Sequence, residues 1–289
     1  MLRRSIEPAL GQDYSMIEVI ISNNASTDDT QDICQEYSKK DGRVKYVTQS
    51  SNRGPVANFA EVLKRASGEY FMWLGDDDWI DASYVSHCVS LLDEDSGLAL
   101  VSGAPVYYRN EIITYKGKWF DLSEEWWAVR VARYYATVAD NGMFYGIMRT
   151  TQLQQIVTPN TIGGDWHCIA NIVSVGKTRM SSAVAVHRDL GGATVSYRKI
   201  AESLGLPTIQ AVFPMTTTAL GAAMDIVIAG AAYKKRGLPT RLLLAGVVFL
   251  LVISRPTFRY TARVKRRLTK VKNSLKRSIL LLVNGANNK

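Results

Sequence analysis

Tyr70-Phe71-Met72-Trp73-Leu74-Gly75-Asp76-Asp77-Asp78-Trp79 is the stretch that decides the fold. Five apolar residues in a row have the length and composition of a strand buried on both faces, which belongs in the middle of a sheet covered by helices. The glycine and three carboxylates that follow stand where open α/β sheets place their ligand crevice, outside the carboxyl end of a strand. The same pattern recurs upstream. Glu18–Ser22, with Val19, Ile20 and Ile21, reads as a strand ending in Asn23-Asn24-Ala25-Ser26. Ser26 suits the cap of a helix from Asp28 to Lys39, in which Asp28 and Asp29 sit at the positive end of the dipole. Gly42 breaks that helix, Val44–Thr48 reads as the next strand, and Pro55 opens a helix with the apolar stripe Val56, Phe59, Val62, Leu63 and Ala66. This alternation predicts an α/β fold with a Rossmann-like, mostly parallel sheet flanked by helices. It points Asn23–Asp28 and Asp76–Asp78 at one place.

The 289 residues are 47% apolar and 21% charged, which excludes a disordered or collagen-like chain. Cys34, Cys88 and Cys168 form no C-x-x-C pair, so a reducing compartment is expected. The opening MLRRSIEPALGQDYS lacks the apolar run of a secretory signal peptide. Charge is divided unevenly. After Asp225 there are 15 Lys and Arg and no acid, whereas residues 1–225 carry 20 basic and 26 acidic side chains, a balance of −6.

Three adjacent carboxylates repel one another unless a cation sits among them, and hard oxygen donors suit Mg²⁺ or Mn²⁺ bridging a protein to substrate phosphates. The competing reading is a solvated turn or helix cap. Trp119, Phe120, Trp126, Trp127, Tyr134 and Tyr135 form an aromatic stretch that reads either as an acceptor groove or as core. His87 and His167 lack metal-ligand spacing.

Val19-Ile20-Ile21-Ser22-Asn23-Asn24-Ala25-Ser26-Thr27-Asp28-Asp29-Thr30, Asn52-Arg53-Gly54 with Asn58, and Ala66-Ser67-Gly68-Glu69-Tyr70 through Trp79 together resemble an inverting family-2 glycosyltransferase over roughly residues 5–200. The resemblance implies a GT-A fold and a nucleotide-diphospho-sugar donor. Asn23, Asn24, Ser26 and Asn52 would then contribute to the nucleotide pocket, with Asn23 standing where the family usually has an Asp. Asp77 would be the foremost metal ligand, with Asp78 behind it in the same metal site and Asp76 near the ribose or metal. The family's first acidic position falls on Gly75. Asn141–Arg149 and Gly164-Asp165-Trp166 resemble the acceptor half, where Asp165 would be the catalytic base; as a residue at a helix start it also reads as a cap. His187 and Arg188, ending the apolar run Ala183–Val186, would lie near the diphosphate.

The family opens with a strand and a Thr-Tyr-Asn-like turn before the helix that begins here near Leu2. Either the true start lies upstream of Met1, or the product is a catalytically impaired relic or binding subunit. The expected organisation is a GT-A domain over 1–200, apolar helical segments over 201–255, and a basic amphipathic helix over 256–289.

In the last segment Val264, Leu268, Val271, Leu275, Ile279 and Leu282 make one stripe among basic residues, the pattern of a helix lying on an anionic membrane surface. Nucleic-acid binding and docking to a partner protein are the rivals. Leu242–Ile253 is too short to cross a bilayer, and with Leu220–Ala232 it reads either as a hairpin dipping into one leaflet or as a helical pair packed on the domain. A lipid-linked or saccharide acceptor and a cytoplasmic, peripheral location at the inner face of the membrane complete the expectation.

Overall fold

The computed structural model describes residues 1–190 and 196–255. Strands β1 (Val19–Asn23), β2 (Val44–Thr48), β3 (Tyr70–Phe71), β4 (Trp79–Ile80), β5 (Leu98–Arg109), β6 (Ile112–Lys116), β7 (Ile147–Arg149) and β8 (Lys177–Asp189) are interleaved with helices. These are α1 (Leu2–Leu10), α2 (Thr30–Lys40), α3 (Pro55–Arg65), α4 (Tyr84–Glu94), α5 (Trp127–Thr137), α6 (Thr150–Leu153) and α7 (Gly164–Val175). Then come α8 (Tyr197–Ser203), α9 (Thr208–Val212), α10 (Pro214–Met224) and α11 (Leu238–Ile253). A π-helical turn, Asp225–Ala229, continues α10.

The α/β reading holds, and the strand directions refine it. β1 and β2 form a separate parallel pair. The larger sheet has the order β3-β7-β5-β8-β4, with β6 as a hairpin on β5. Of the pairs in this sheet only β5 and β8 are parallel; β3/β7, β5/β7 and β4/β8 are antiparallel. The expected mostly parallel sheet is therefore mixed: the three-residue β7 returns between β3 and β5, which run the same way, and opposes both. The strand predicted at Tyr70–Leu74 is confined to Tyr70–Phe71, because β7 offers partners only to those two residues.

That stretch is nonetheless covered on both sides. Phe71 and Trp73 enter the main core with α5 and α7, while Tyr70, Met72 and Leu74 pack against the cluster of Tyr84, Cys88, Val89 and Leu92 on α4. α1 and α2 close a third cluster around Ile6, Tyr37 and Val44.

Residues Met1–Ile253 form one compact unit, so the helices that follow residue 200 are part of the same body as the sheet. Leu244, Ala245, Val248 and Val252 of α11 join the main core, and α11 packs on α10 and α5. Among the described residues no helix is long and apolar enough to cross a membrane. The basic helix expected at 256–289 lies outside the described residues.

Candidate active site

Two side-chain ties bring the first polar loop and the acidic loop to the same end of the molecule. At the strand starts, the Glu18 carboxylate accepts from Ser67 N (2.7 Å), Ser67 Oγ (2.9 Å) and Gly68 N (3.1 Å), fastening the entry of β1 to the entry of β3. At the other end, consecutive residues of α3 reach both chains: Asn58 Nδ2 donates to Ser22 O at 3.1 Å, and Trp73 Nε1 donates to Phe59 O at 3.1 Å. The loops after Asn23 and after Leu74 thus emerge side by side.

The acidic loop folds back over Gly75. A Cβ there would meet Asp78 Oδ2 at 2.8 Å and Asp77 Oδ1 at 3.0 Å, which gives a physical reason for glycine where the resemblance has an acid. Asp78 is 1% exposed. Its Oδ2 accepts from Arg188 Nε at 3.3 Å and its Oδ1 from Asp189 N at 3.2 Å. Burial pushes the Asp78 carboxyl up and the Arg188 charge pulls it back. The guanidinium also donates to Tyr145 OH at 2.8 Å and lies 4.1 Å from the centroid of that ring. Arg188 from β8 is thus the built-in counter-ion of Asp78.

Among the described residues no salt bridge reaches Asp77. Burial first, then the charges of Asp78 and Asp76, push its carboxyl up to about 6. An under-neutralised carboxylate beside the exposed Asp76 has the donor chemistry for a divalent cation. Among the described residues no three His, Cys, Asp or Glu side chains converge into a ready-made cage. These residues fit an ion whose remaining ligands are substrate oxygens and water, as Mg²⁺ and Mn²⁺ sites commonly require.

Asp165 stands one residue inside α7, whose cap is Gly163 at φ 81°. At Gly164 a Cβ would lie 2.1 Å from Pro159 O, so the Gly-Gly pair is what lets the chain turn into this helix. The Asp165 Oδ2 accepts from Asn141 Nδ2 at 2.9 Å, and Asn141 Oδ1 accepts from Tyr134 OH at 2.8 Å. Burial raises the Asp165 carboxyl; the Asn141 bond, the Trp166 amide and the Arg188 charge oppose it. Arg188 bonds both Asp78 and Tyr145, and Asn141, which opens the short turn Gly142–Tyr145, bonds Asp165, so one segment links the acidic loop to Asp165.

The remaining expected residues are mostly engaged with the protein. Asn23 is buried, its Nδ2 donating to Tyr46 OH at 3.1 Å and its Oδ1 accepting from Ser26 N at 2.8 Å. Asn24 Nδ2 donates to Asn52 Oδ1 at 2.9 Å, which stitches the two loops together. His187 bonds Asp81 (2.8 Å) and Tyr108 (3.0 Å) and stacks on Trp79. The aromatic stretch splits: Trp127, Tyr134 and Tyr135 are core, whereas Trp119 and Trp126 are each 57% exposed. Asn141, Tyr145 and Asp81 were not singled out from sequence. The one signal was Asn141 heading the NGMFYG segment, where it adopts φ 48° in the left-handed region that Asn tolerates.

The sequence profile described as Glycosyl transferase family 2 matches residues 1–168, more than half the chain. The chain belongs to glycosyl transferase family 2. Among similar proteins, the GalNAc(5)-diNAcBac-PP-undecaprenol beta-1,3-glucosyltransferase of Campylobacter jejuni is 35% identical over 104 residues, 36% of this chain and 33% of that protein. The UDP-Glc:alpha-D-GlcNAc-diphosphoundecaprenol beta-1,3-glucosyltransferase WfaP of Escherichia coli is 26% identical over 199 residues, 68% of this chain and 75% of its own length. The matched part spans only 12% of GlyA from Streptococcus pneumoniae, which is 37% identical over 84 residues.

Two solved structures share the GT-A fold with this family 2 chain. Staphylococcus aureus TarS superposes with a TM-score of 0.58 at 16% identity, covering 89% of this chain and 42% of TarS. The mannosyltransferase PcManGT from Pyrobaculum calidifontis, solved with GDP-Man and Mn²⁺, gives 0.52 at 16%, covering 93% of this chain and 75% of PcManGT.

Proposed function

We propose that this chain transfers a sugar from a nucleotide-diphospho-sugar to a hydroxyl of a lipid-linked or saccharide acceptor, with inversion, in the synthesis of a cell-surface polysaccharide or glycolipid. The observation that carries the reading is the hydrogen-bonded link from the acidic loop through Arg188 to Tyr145, and from Asn141 of the same segment to Asp165, in a family 2 chain. Asp165 accepts the proton of the acceptor hydroxyl; that oxygen forms the new bond to the anomeric carbon as the bond to the diphosphate breaks, so one displacement inverts the centre. Asn141, itself held by Tyr134, keeps the Asp165 carboxylate in one orientation. Asp77, with Asp76, would hold Mg²⁺ or Mn²⁺, which supplies positive charge for the departing diphosphate. Asp78 and Arg188 brace the loop from behind. The Asn24–Asn52 pair and Ser26 line the entrance for the nucleotide, Asn23 shapes the loop beneath it, and His187 fixes β4 through Asp81.

The names of the Campylobacter and Escherichia relatives support an undecaprenyl diphosphate-linked acceptor, and hence work at the inner face of a membrane to which the basic segment 256–289 is drawn. A second reading, a donor-binding subunit without turnover, is favoured by Asn23, whose amide is already bonded to Tyr46 and Ser26. Incubation with radiolabelled UDP- and GDP-sugars, Mn²⁺ and an undecaprenyl-diphosphate-linked saccharide separates the two. Labelled lipid product supports the transferase; cation-dependent donor binding with no product supports the subunit, and neither binding nor product refutes both.

A further inference from the structure

α11 is apolar all round from Leu242 to Ile253, a composition suited to full burial, yet only one of its faces is covered. Leu244, Ala245, Val248 and Val252 point into the core. On the opposite face Leu243 is 69% exposed, Leu250 66% and Val247 partly so. Spaced by four and three residues, these three form one row. Beside them runs a groove of about 360 Å³ whose other wall is Trp126, Val129 and Ala132 at the start of α5. Phe213, Leu220, Met224 and Ile228 make a second exposed apolar row along α10 and its π-helical turn. Contiguous exposed apolar surface of this kind marks a binding face.

The charges nearby identify the occupant. Between residues 226 and 253 there are Lys234, Lys235, Arg236 and Arg241 and no acidic residue, so the α11 side of the apolar face carries positive charge, while on the α5 side Glu124 pairs with Arg133 and Glu125 with Lys177. A soluble partner helix calls for no such border, whereas an anionic lipid leaflet does. α11 has 16 residues, about 24 Å of helix at 1.5 Å per residue, short of the roughly 30 Å hydrocarbon core. It can lie in a leaflet and cannot cross one. Trp126, half-exposed at the groove, has the ring chemistry favoured at a membrane–water interface.

We propose that the α5–α11 face is a membrane-docking surface that seats in one leaflet of an anionic bilayer, so that the folded body and not only the basic segment 256–289 holds the protein there. The inference rests on the membrane reading above and is independent of turnover.

The test is co-sedimentation of the full chain with phosphatidylglycerol-containing vesicles, with pure phosphatidylcholine vesicles as the neutral reference, at 0.05 and 0.5 M salt. Three proteins are compared: wild type, a face variant (Leu243→Gln, Val247→Gln, Leu250→Gln), and a tail variant (Arg266→Gln, Arg267→Gln, Lys270→Gln, Lys272→Gln). High salt screens charge and spares apolar contacts. The expected result is stronger wild-type binding to the anionic vesicles, a loss of tenfold or more for the face variant at both salts, and a loss for the tail variant confined to low salt. A face variant that binds like wild type overturns the inference; if the tail variant then fails to bind, the membrane reading survives with the tail as sole anchor. No vesicle binding by wild type overturns both. Self-association of wild type that the face variant abolishes, without vesicle binding, assigns the face to a second copy instead. Against misfolding of the face variant, quenching of wild-type fluorescence by acyl-brominated lipid is compared with that of Trp126→Phe. A quenched Trp126 component supports docking at this face, and an unquenched one refutes it.

Discussion

Asp225 offers a sharp energetic test of how this body is held together. It lies where α10 meets α7, 7% exposed, with Asn171 Nδ2 donating to its Oδ2 at 2.6 Å. Burial pushes its carboxyl from 3.8 up to about 6 even after that bond is counted. In the interval between the two values the folded protein holds a proton that the unfolded chain has given up, so stability falls as pH rises through it. That rise, at about 1.4 kcal/mol for each tenfold change in proton affinity, corresponds to about 3 kcal/mol. Asp225→Asn is nearly isosteric, keeps an oxygen for Asn171 Nδ2, and brings an N–H₂ that can serve Asn171 Oδ1, which has no hydrogen-bond partner among the described residues. The substitution should stabilise the protein by about 3 kcal/mol at pH 7.5, by about 1 kcal/mol at pH 4.5, and by almost nothing below pH 4. Urea denaturation of both proteins at the three pH values, followed by tryptophan fluorescence, measures the difference. A variant less stable than wild type at pH 7.5, or a gain that does not change with pH, would refute the argument that this carboxylate is held against its solvation energy.

Four further outcomes are expected. Asp77→Asn should abolish Mn²⁺-dependent donor binding and keep the fold, as calorimetry and a thermal melt would show; unchanged cation dependence would remove Asp77 from the metal. Asp165→Asn should lower turnover by about 10² to 10⁴ with donor affinity retained, the size typical of a lost general base. Asn141→Ala should lower turnover less and move the pH–rate profile, because it removes the bond that fixes the Asp165 carboxylate; an unmoved profile would leave Asn141 a loop residue. Arg188→Met should cost about 3–5 kcal/mol in chemical denaturation, the usual effect of stranding one member of a buried pair, here Asp78. A smaller loss would mean water reaches Asp78.

Much of the frame was legible because its signals are local. Gly42, Pro55 and Gly68 punctuate the first 70 residues, and the elements between them fall within two residues of their expected places. Asp76–Asp78 announced themselves because three adjacent carboxylates are hard to explain as packing. The mixed sheet was not legible: β7 is three residues long and hidden in NGMFYGIMR, and nothing local says that it slips between β3 and β5. Spacing alone did not divide labour among the three carboxylates, which only the resemblance did, since what separates Asp78 from Asp77 is an arginine far along the chain. The apolar run of α11 was visible, but which of its faces would be covered depends on α5 and α10.

The Asp78–Arg188 pair spans 110 residues of sequence. A ribosome adding about 5–20 residues per second needs about 5 to 20 s to travel that distance. Through that interval the acidic loop has emerged, but the charge meant to neutralise its most deeply placed carboxylate has not. The nascent loop therefore lacks that partner until β8, which pairs with β5, has been made. The acidic loop in this way waits for the strand that brings Arg188, and a chain stalled before residue 188 would carry the acidic motif without its finished setting.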